Sequence, residues 1–570
     1  MRIVYLSTTC DGSTVSHLPL VYKSDHITTT IYLQELEPKV SRESRYKRQQ
    51  KEGTNSDLRS YNRHSKIIAK AGSLAANPSS TTCAKYSNID EFAWKIGVPD
   101  SSAMTDKVDI ATDLQKMRIS DNCNENVNKV EVDQHHSQQS EIEFKDLSDK
   151  ERYTKMRKWR KIGGDKTNVD TEKEFVFKIL SFNILAQDLL ETHRYLYKYH
   201  DPRTLPWTVR KPLLIQEILD SEAHIVCLQE MQEEHLQEFL IPFQQNGFTH
   251  LYKKRTNDKK DGLLLMYKQD LFNLLDYSKV ELYQKNIELL SRDNVGLIAK
   301  FSLKESPDTK FVIATTHLLY NPRRNDVRLG QVQLLFAEIE RIAFVQNLPS
   351  GPQYLPMLLS GDFNLEPFTG VYKFITEGSI EFAGKNRNLE ECNEMCPSNW
   401  SLTNSLIPPH LYVTDECQHF KVVSQRLSGK GSGRVMLKNT ENPRNAYSND
   451  APLGVQEQSL VNLNSTTYQK IEIANGHYAT FSSGLLTHPF QLKSVYNHQN
   501  QSKNNGLNEA TTFQDRWITV DYIFYSDLVP LEKYTLPTVN QCLKYLPTIP
   551  NRVVGSDHLS LGATFKLLKR

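Results

Sequence analysis

The sequence predicts an α/β fold of two packed mixed sheets flanked by helices, and three observations predict it. Apolar runs of strand length recur between 173 and 383 and again near the carboxyl end. Segments with a helical apolar period separate some of them. Elsewhere strands follow one another directly, which pairs sequence neighbours in a sheet and leaves the helices for the outer faces.

Taken in order, "EFVFKILSFNIL" reads as a strand and "RKPLLIQEILD" as an amphipathic helix. "HIVCLQEM" is a strand leading into the helical "EEHLQEFLIPFQQ". "GLLLMYK", "NVGLIAKFSL" and "KFVIATTHLLY" are strands, and "NDVRLGQVQLLFAEIERIAF" is a helix with Val332, Leu335, Ile339 and Ile342 on one face. "PMLLSGDFN" is a strand, "GVYKFITEG" a short helix, and "ITVDYIFYS" and "HLSLGATFKLL" close the chain as strands. Residues 1–172 lack apolar periodicity and read as a largely disordered extension, because they bury too little surface to offset chain entropy. The folded part is 173–570, interrupted by a polar, irregular insertion at about 384–485 that reads as flexible. The basic stretch "KMRKWRKIGG" just before the folded part is either a solvated linker or an RNA-contact arm.

Composition narrows the class. With 69 Lys+Arg against 67 Asp+Glu, any contact with nucleic acid must come from local patches. Eight scattered cysteines form no dense disulfide framework and favour a reducing compartment. No apolar run has the roughly 20 residues of a membrane helix, and the first twenty residues lack a secretory h-region. The cytoplasm is the expected location, with mitochondrion or nucleus as alternatives.

The functional signal is a repeated oddity at strand ends. Asn183 sits in "ILSFNIL", Glu230 ends "VCLQE", His317 ends "IATTH", and Asp362 and Asn364 follow "MLLSG". Asp521 lies within "TVDYIFY", while Asp557 and His558 open the last strand. A buried-edge acid is costly unless compensated. Six such segments share one solution, a hard divalent cation with oxygen ligands and substrate phosphate, beside imidazoles that stabilise developing charge.

"FNILAQ", "CLQE", "RDNVGLIA", "TTHLLYNPRRNDVRLGQVQLL", "SGDFN", "SVYNH", "TVDYIFYS" and "SDHLSL" together resemble the endonuclease/exonuclease/phosphatase superfamily, and within it the Angel proteins, relatives of deadenylase catalytic subunits and nocturnin. The resemblance implies a four-layer α/β/β/α sandwich with the site at one edge of the sheets. It implies Glu230 as the main Mg²⁺ ligand with Asn183 assisting, one or two ions, and Mn²⁺ as a substitute. Asp362 would orient or deprotonate the attacking water, Asn364 would hold the phosphate, and His317 would contact it. Asp521 would support the site, and His558, backed by Asp557, would stabilise the pentavalent transition state.

Four further residues are substrate-binding candidates. Trp207, near Arg210, either packs at a helix start or contacts RNA; Arg323 and Arg324 are either solvated or on the phosphate backbone; Asn294 is either a turn contact or substrate-facing. Cys392 and Cys396 lack a second pair for zinc, and Cys227 reads as core.

The resemblance implies a Mg²⁺-dependent phosphoesterase acting on RNA 3′ ends, foremost a 3′–5′ exoribonuclease of the deadenylase type. The alternative is a 2′,3′-cyclic phosphatase at RNA 3′ ends. A reading of another class is a non-catalytic mRNA-binding translation regulator. No leucine-rich-repeat period for scaffold docking is present in the sequence.

Overall fold

The computed structural model describes residues 147–162, 169–389, 401–428 and 467–570, less 475, 497, 499–507, 515 and 547. The disorder expected for residues 1–146 therefore lies outside the described residues, as do Cys392 and Cys396.

The described chain begins with helix α1 (Asp149–Met156) and strand β1 (Trp159–Lys161), followed by β2 (Glu174–Asn183). Helix α2 (Trp207–Asp220), β3 (Ile225–Gln232), helix α3 (Leu236–Gln245), β4 (Phe248–Lys254) and β5 (Asp261–Lys268) come next. Then follow β6 (Phe272–Glu281), β7 (Val295–Leu303), β8 (Lys310–His317), helix α4 (Asn325–Ala343), β9 (Met357–Asp362) and helix α5 (Gly370–Glu377). Helix α6 (Phe420–Leu427), β10 (Lys493–Ser494), β11 (Asp521–Ser526), β12 (Val529–Tyr534), helix α7 (Val539–Tyr545) and β13 (Leu561–Leu568) complete the frame.

The strands form a seven-stranded sheet, β1-β12-β13-β2-β3-β5-β4, and a six-stranded sheet, β10-β11-β9-β8-β7-β6. Between them, Phe177, Ile179 and Cys227 share an apolar cluster with Val295, Ile313 and Leu358, and Phe177 meets Phe311 at 5.4 Å. The outer face of the first sheet (Leu180, Phe182, Val226, Leu228) packs on Leu214 of α2 and Phe239 of α3. Ile298 and Leu359 of the second sheet pack on Leu335 of α4 and Phe374 of α5. Helices, sheet, sheet, helices: this is the four-layer sandwich.

Two boundaries differ from expectation. The end of the extension is built into the fold, because β1 pairs with β12 and Arg157 is buried, its guanidinium bonded to Thr535 O at 2.6 Å and to Ser560. The "KMRKWRKIGG" stretch is thus an edge strand with its helix, not an arm. Within the insertion, residues 401–428 and 467–485 form ordered structure. Gln418 and Arg426 reach Glu340 of α4, and Gln333 Nε2 donates to Thr414 O at 3.1 Å. Consequently every residue of α4 is buried, including the side expected to face water. Among the described residues no helix is long and apolar enough to cross a membrane.

Candidate active site

Strand parity brings the polar residues together. Side chains alternate across a strand, so Phe177 and Ile179 put Ser181 and Asn183 on the same inner face. The same period carries Ile313 to Thr315 and His317, and Leu358 to Ser360 and Asp362. The space between the sheets therefore grades from an apolar middle, through a layer of small polar groups, to the site. Gln229 pins that middle layer across the sheets, its Nε2 donating to Thr315 Oγ1 at 3.1 Å and to Ser181 Oγ at 3.3 Å.

Register then aligns the site laterally. Parallel pairing sets Asp362 beside His317, and antiparallel pairing sets it opposite Asp521. Glu230 breaks parity, since the alternation would send it with Leu228 toward the helices. A register shift between Leu228 and Met231 and a left-handed backbone at Glu230, φ 62°, turn it back. Such a bulge re-aims a side chain at local conformational cost. Asn364, φ 53°, and Leu185, φ 57°, are held the same way beside it.

The contacts are close. Asn183 Nδ2 donates to Glu230 Oε1 at 3.0 Å and to Asp362 Oδ2 at 3.1 Å, joining the two sheets. The Ala186 amide donates to Glu230 Oε2 at 2.9 Å. His558 Nδ1 is 2.9 Å from Asp521 Oδ2, and its Nε2 is 3.8 Å from Asp362 Oδ2. His317 Nε2 is 3.5 Å from the same Asp362 oxygen. The Asn364 amide donates to Asp362 Oδ1 at 2.9 Å, and its side chain donates to Leu318 O at 3.0 Å.

Burial and neighbouring charge set the protonation states. Burial, reinforced by Asp521, pushes the Asp362 carboxyl up to about 7. Burial, with Arg255 assisting, takes His317 down to about 3, so this imidazole is neutral at physiological pH. Burial alone would lower His558 too, but Asp521 and Asp362 outweigh it and hold the ring well above its ordinary value. The result is one cationic and one neutral imidazole flanking a shared carboxylate.

The residues fit a divalent cation. The carboxylates of Asp362 and Asp521 and the His558 ring lie within 4.8 Å of one another, and Asn183 brings the half-buried Glu230 to the same place, so oxygens can face a cation that the His558 imidazolium flanks as a donor. A buried pair of acids at this spacing repels, and a hard cation relieves it. The relief is measurable. Asp362 is raised, so between about pH 4 and 7 the folded state holds a proton that the unfolded chain has released. The raised His558 adds stability that is complete below about 6.5 and is lost as pH rises through its folded value. Both slopes have the same sign, opposite to that of the lowered His317, so the contribution of Asp362 and His558 to the stability of cation-free protein falls as pH rises. We expect wild type to lose melting temperature relative to Asp362→Asn between pH 5 and 8, and added divalent cation to reduce that difference.

Some expected residues are placed elsewhere. Asp557 makes no hydrogen bond to the His558 ring; its carboxylate takes the Tyr197 hydroxyl at 2.6 Å, and the imidazole Nδ1 lies 2.9 Å from Asp521 Oδ2 instead. Asn294 is spent inside, donating to His317 O at 2.9 Å and accepting from Gln331 Nε2 at 2.8 Å. Trp207 is buried, stacked on His235 at 4.7 Å with its Nε1 on Glu238. Arg324 is paired with Asp326 at 2.9 Å, whereas Arg323 is exposed. Cys227 is in the core, as its surroundings suggested.

Sequence reasoning missed Arg255 and Arg328, and it read Arg210 as a surface arginine or an RNA contact. Arg255 pairs with Asp261 at 2.7 Å close enough to act on His317. Arg210 and Arg328 are both fully buried and clamp the loops after β2 and β8 through main-chain carbonyls. The "DG" after a basic run marked a strand start at Asp261; nothing local distinguishes a clamping arginine from a solvated one.

Gly361 explains the glycine of "GDFN". A Cβ there would lie 2.0 Å from Thr316 O, across the very pairing that aligns Asp362 with His317, and φ is 143°. Gly361→Ala is expected to cost at least about 3 kcal/mol in chemical denaturation, since strand backbone cannot yield as a side chain would.

Comparison with known proteins agrees with this geometry. A model of the Endonuclease/Exonuclease/phosphatase family matches residues 180–558. Protein angel homolog 2 of Homo sapiens is 33% identical over 437 residues, covering 71% of this chain and 73% of that protein. The chain belongs to the Angel branch of this family. Protein angel of Drosophila melanogaster is 29% identical over 424 residues, covering 72% of this chain and 87% of its own. The crystal structure of ANGEL2, a 2′,3′-cyclic phosphatase, is 31% identical with a TM-score of 0.55, covering 72% of this chain and 98% of that one. The same protein in complex with adenosine-2′,3′-vanadate gives a TM-score of 0.54. Family membership makes the chain a phosphoesterase of this fold.

Proposed function

We propose that this Angel-family chain is a Mg²⁺-dependent 2′,3′-cyclic phosphatase acting on RNA 3′ ends. The observation that carries this reading is the site itself: one carboxylate, Asp362, shared by a cationic His558 and a neutral His317, with Glu230 bridged to it through Asn183. The likeness to ANGEL2 supports the cyclic ester over a linear one, and the vanadate complex of that protein holds a nucleoside diol in an analogous ester.

In this reading Glu230 and Asn183 hold the cation, which when bound neutralises charge on the phosphate oxygens. Asp362, near 7, orients the attacking water and accepts its proton. Water adds to phosphorus as one ribose P–O bond breaks, the ribose oxygen leaving with the proton that Asp362 took from the water. A second water acts likewise on the monoester left behind, freeing phosphate and a cis-diol. At each step charge grows on the non-bridging oxygens, and His558 donates to it, held cationic by Asp521. Asn364 and His317 fix the phosphate. Four requirements — cation, water, phosphate and charge stabiliser — are met by residues of two sheets.

The test offers the full chain two end-labelled RNAs, one ending in 2′,3′-cyclic phosphate and one in a 3′-hydroxyl poly(A) tail, each with Mg²⁺ or EDTA. Loss of the terminal phosphate without shortening, abolished by EDTA, is expected. Laddering of the poly(A) RNA would replace this reading with the exoribonuclease, and silence on both would replace it with the non-catalytic regulator.

A further inference from the structure

We propose that the Arg194–Tyr199 turn is a stacking platform for the single-stranded RNA leading into the site; this deepens, and rests on, the RNA-end reading above. The turn reads "RYLYKY" and lies between the loop after β2, which carries Asn183, and helix α2. Its outward members are unusually apolar for solvent: Tyr195 is 59% exposed, Leu196 41% and Tyr199 72%. Its inward member, Tyr197, is buried with its hydroxyl on Asp557 Oδ2, one residue from His558. The ring of Tyr197 meets His200 at 5.2 Å, and His200 Nε2 faces Ile549 O at 2.9 Å. The exposed tyrosines are thus fastened beside the catalytic edge, and a rigid aromatic loses little entropy when a base stacks on it.

Charge identifies the occupant. From His193 to Arg203 the cations are Arg194, Lys198 and Arg203; Asp201 pairs with Arg203 at 2.9 Å and Glu191 reaches Arg194 from the preceding turn at 3.3 Å, which leaves Lys198 as the net positive charge beside the rings. Lys198 Nζ lies over the Tyr199 ring at 4.7 Å. The surface continues past Asp201 to Arg552, 3.5 Å away, and into a cavity of about 320 Å³ that includes Arg152, Lys544 and Tyr545 as well as Asp149. Aromatic rings interleaved with cations match stacked bases joined by phosphates, the chemistry of sequence-tolerant single-strand binding.

The experiment compares wild type with Tyr195→Ala/Tyr199→Ala, both full chain. On a short RNA ending in 2′,3′-cyclic phosphate, KM should rise by about tenfold or more while kcat stays within about twofold. On adenosine 2′,3′-cyclic monophosphate, which has no upstream base, both constants should be unchanged, and Tyr195→Phe/Tyr199→Phe should restore RNA binding. Equal losses on the two substrates, or none on RNA, would overturn the platform. Anisotropy of a fluorescein-labelled RNA in EDTA separates the two claims. A weakened affinity in a protein that hydrolyses neither substrate keeps the platform and sinks the phosphatase reading; an unchanged affinity removes the platform whatever the chemistry. Lys198→Ala should reduce the salt slope of binding by about 0.7.

Discussion

Asp362→Asn is expected to lower turnover of the cyclic-phosphate RNA by at least about a thousandfold while raising the melting temperature of the cation-free protein. The two effects share one cause. Asp362 is fully buried beside Asp521, and its carboxyl is pushed up to about 7. When no cation is present, the native state therefore works against a pair of acids that His558 compensates only in part, and it does so once pH exceeds about 7 and Asp362 is ionised. An amide of the same shape removes the repulsion and keeps the hydrogen bond from the Asn364 amide, which Oδ1 still accepts. It cannot take a proton from water, and a lost general base costs on the order of 10²–10⁴ in rate, to which the weakened hold on His558 and His317 adds. Steady-state kinetics and thermal melts in EDTA check both halves. Wild-type turnover in the variant would remove Asp362 from the chemistry, and a lower melting temperature would mean that the Asp362–Asp521 contact is favourable as it stands.

This opposition of stability and activity also explains what could be read from the sequence and what could not. Acids and imidazoles at the ends of apolar runs are costly locally, so Asn183, Glu230, His317, Asp362, Asp521 and His558 stand out without any knowledge of the fold. Their partners do not. Whether Asp521 or Asp557 faces His558 depends on how the segment before the last strand is laid against the start of β11, and the adjacent Asp557 is the natural but different choice. The same limit applies to α4. Its apolar period is plain, yet Glu338, Glu340 and Arg341 read as a wet face. They are instead buried under residues 401–428, where Arg426 and Gln418 meet Glu340, joined by Tyr354 from just before β9, and His419 approaches Glu338 at 3.0 Å. A polar insertion looks flexible because its own apolar content is low; its order comes from Ile407, Val413 and Cys417 joining the core under α4 and from polar pairing with that helix, 86 residues apart for Glu340 and Arg426. Long-range charge pairing leaves no periodic trace.

Arg210 is the clearest case of that hidden class, and its replacement should damage the fold more than any exposed arginine. The side chain is completely buried, and its donors go to four main-chain carbonyls and one side-chain amide oxygen rather than to a carboxylate. Nε donates to Leu205 O, Nη1 to Ile184 O and Gly555 O, and Nη2 to Leu185 O and Gln187 Oε1, all at 2.9–3.0 Å. Ile184 and Leu185 follow Asn183, and Gly555 precedes Ser556, Asp557 and His558, so one guanidinium ties the loop of the cation-side amide to the loop of the charge stabiliser. Burial lowers its pKa to about 10, which still leaves it charged at neutral pH. Arg210→Ala strands several buried carbonyls at once, each worth about 1 kcal/mol or more, for a loss of roughly 3–5 kcal/mol. Arg210→Lys should recover little, because a single ammonium with three donors cannot span five acceptors held in a planar fork. In urea melts both variants should unfold well before wild type, whereas Arg323→Ala, at an exposed position, should not shift the midpoint. The surviving folded fraction should show a lowered kcat with little change in binding of adenosine 2′,3′-cyclic monophosphate, since loosening this clamp separates Asn183 from His558 without removing either. A midpoint for Arg210→Ala equal to that of Arg323→Ala would mean that water or main-chain rearrangement satisfies these carbonyls, and that the clamp is not what aligns the two halves of the site.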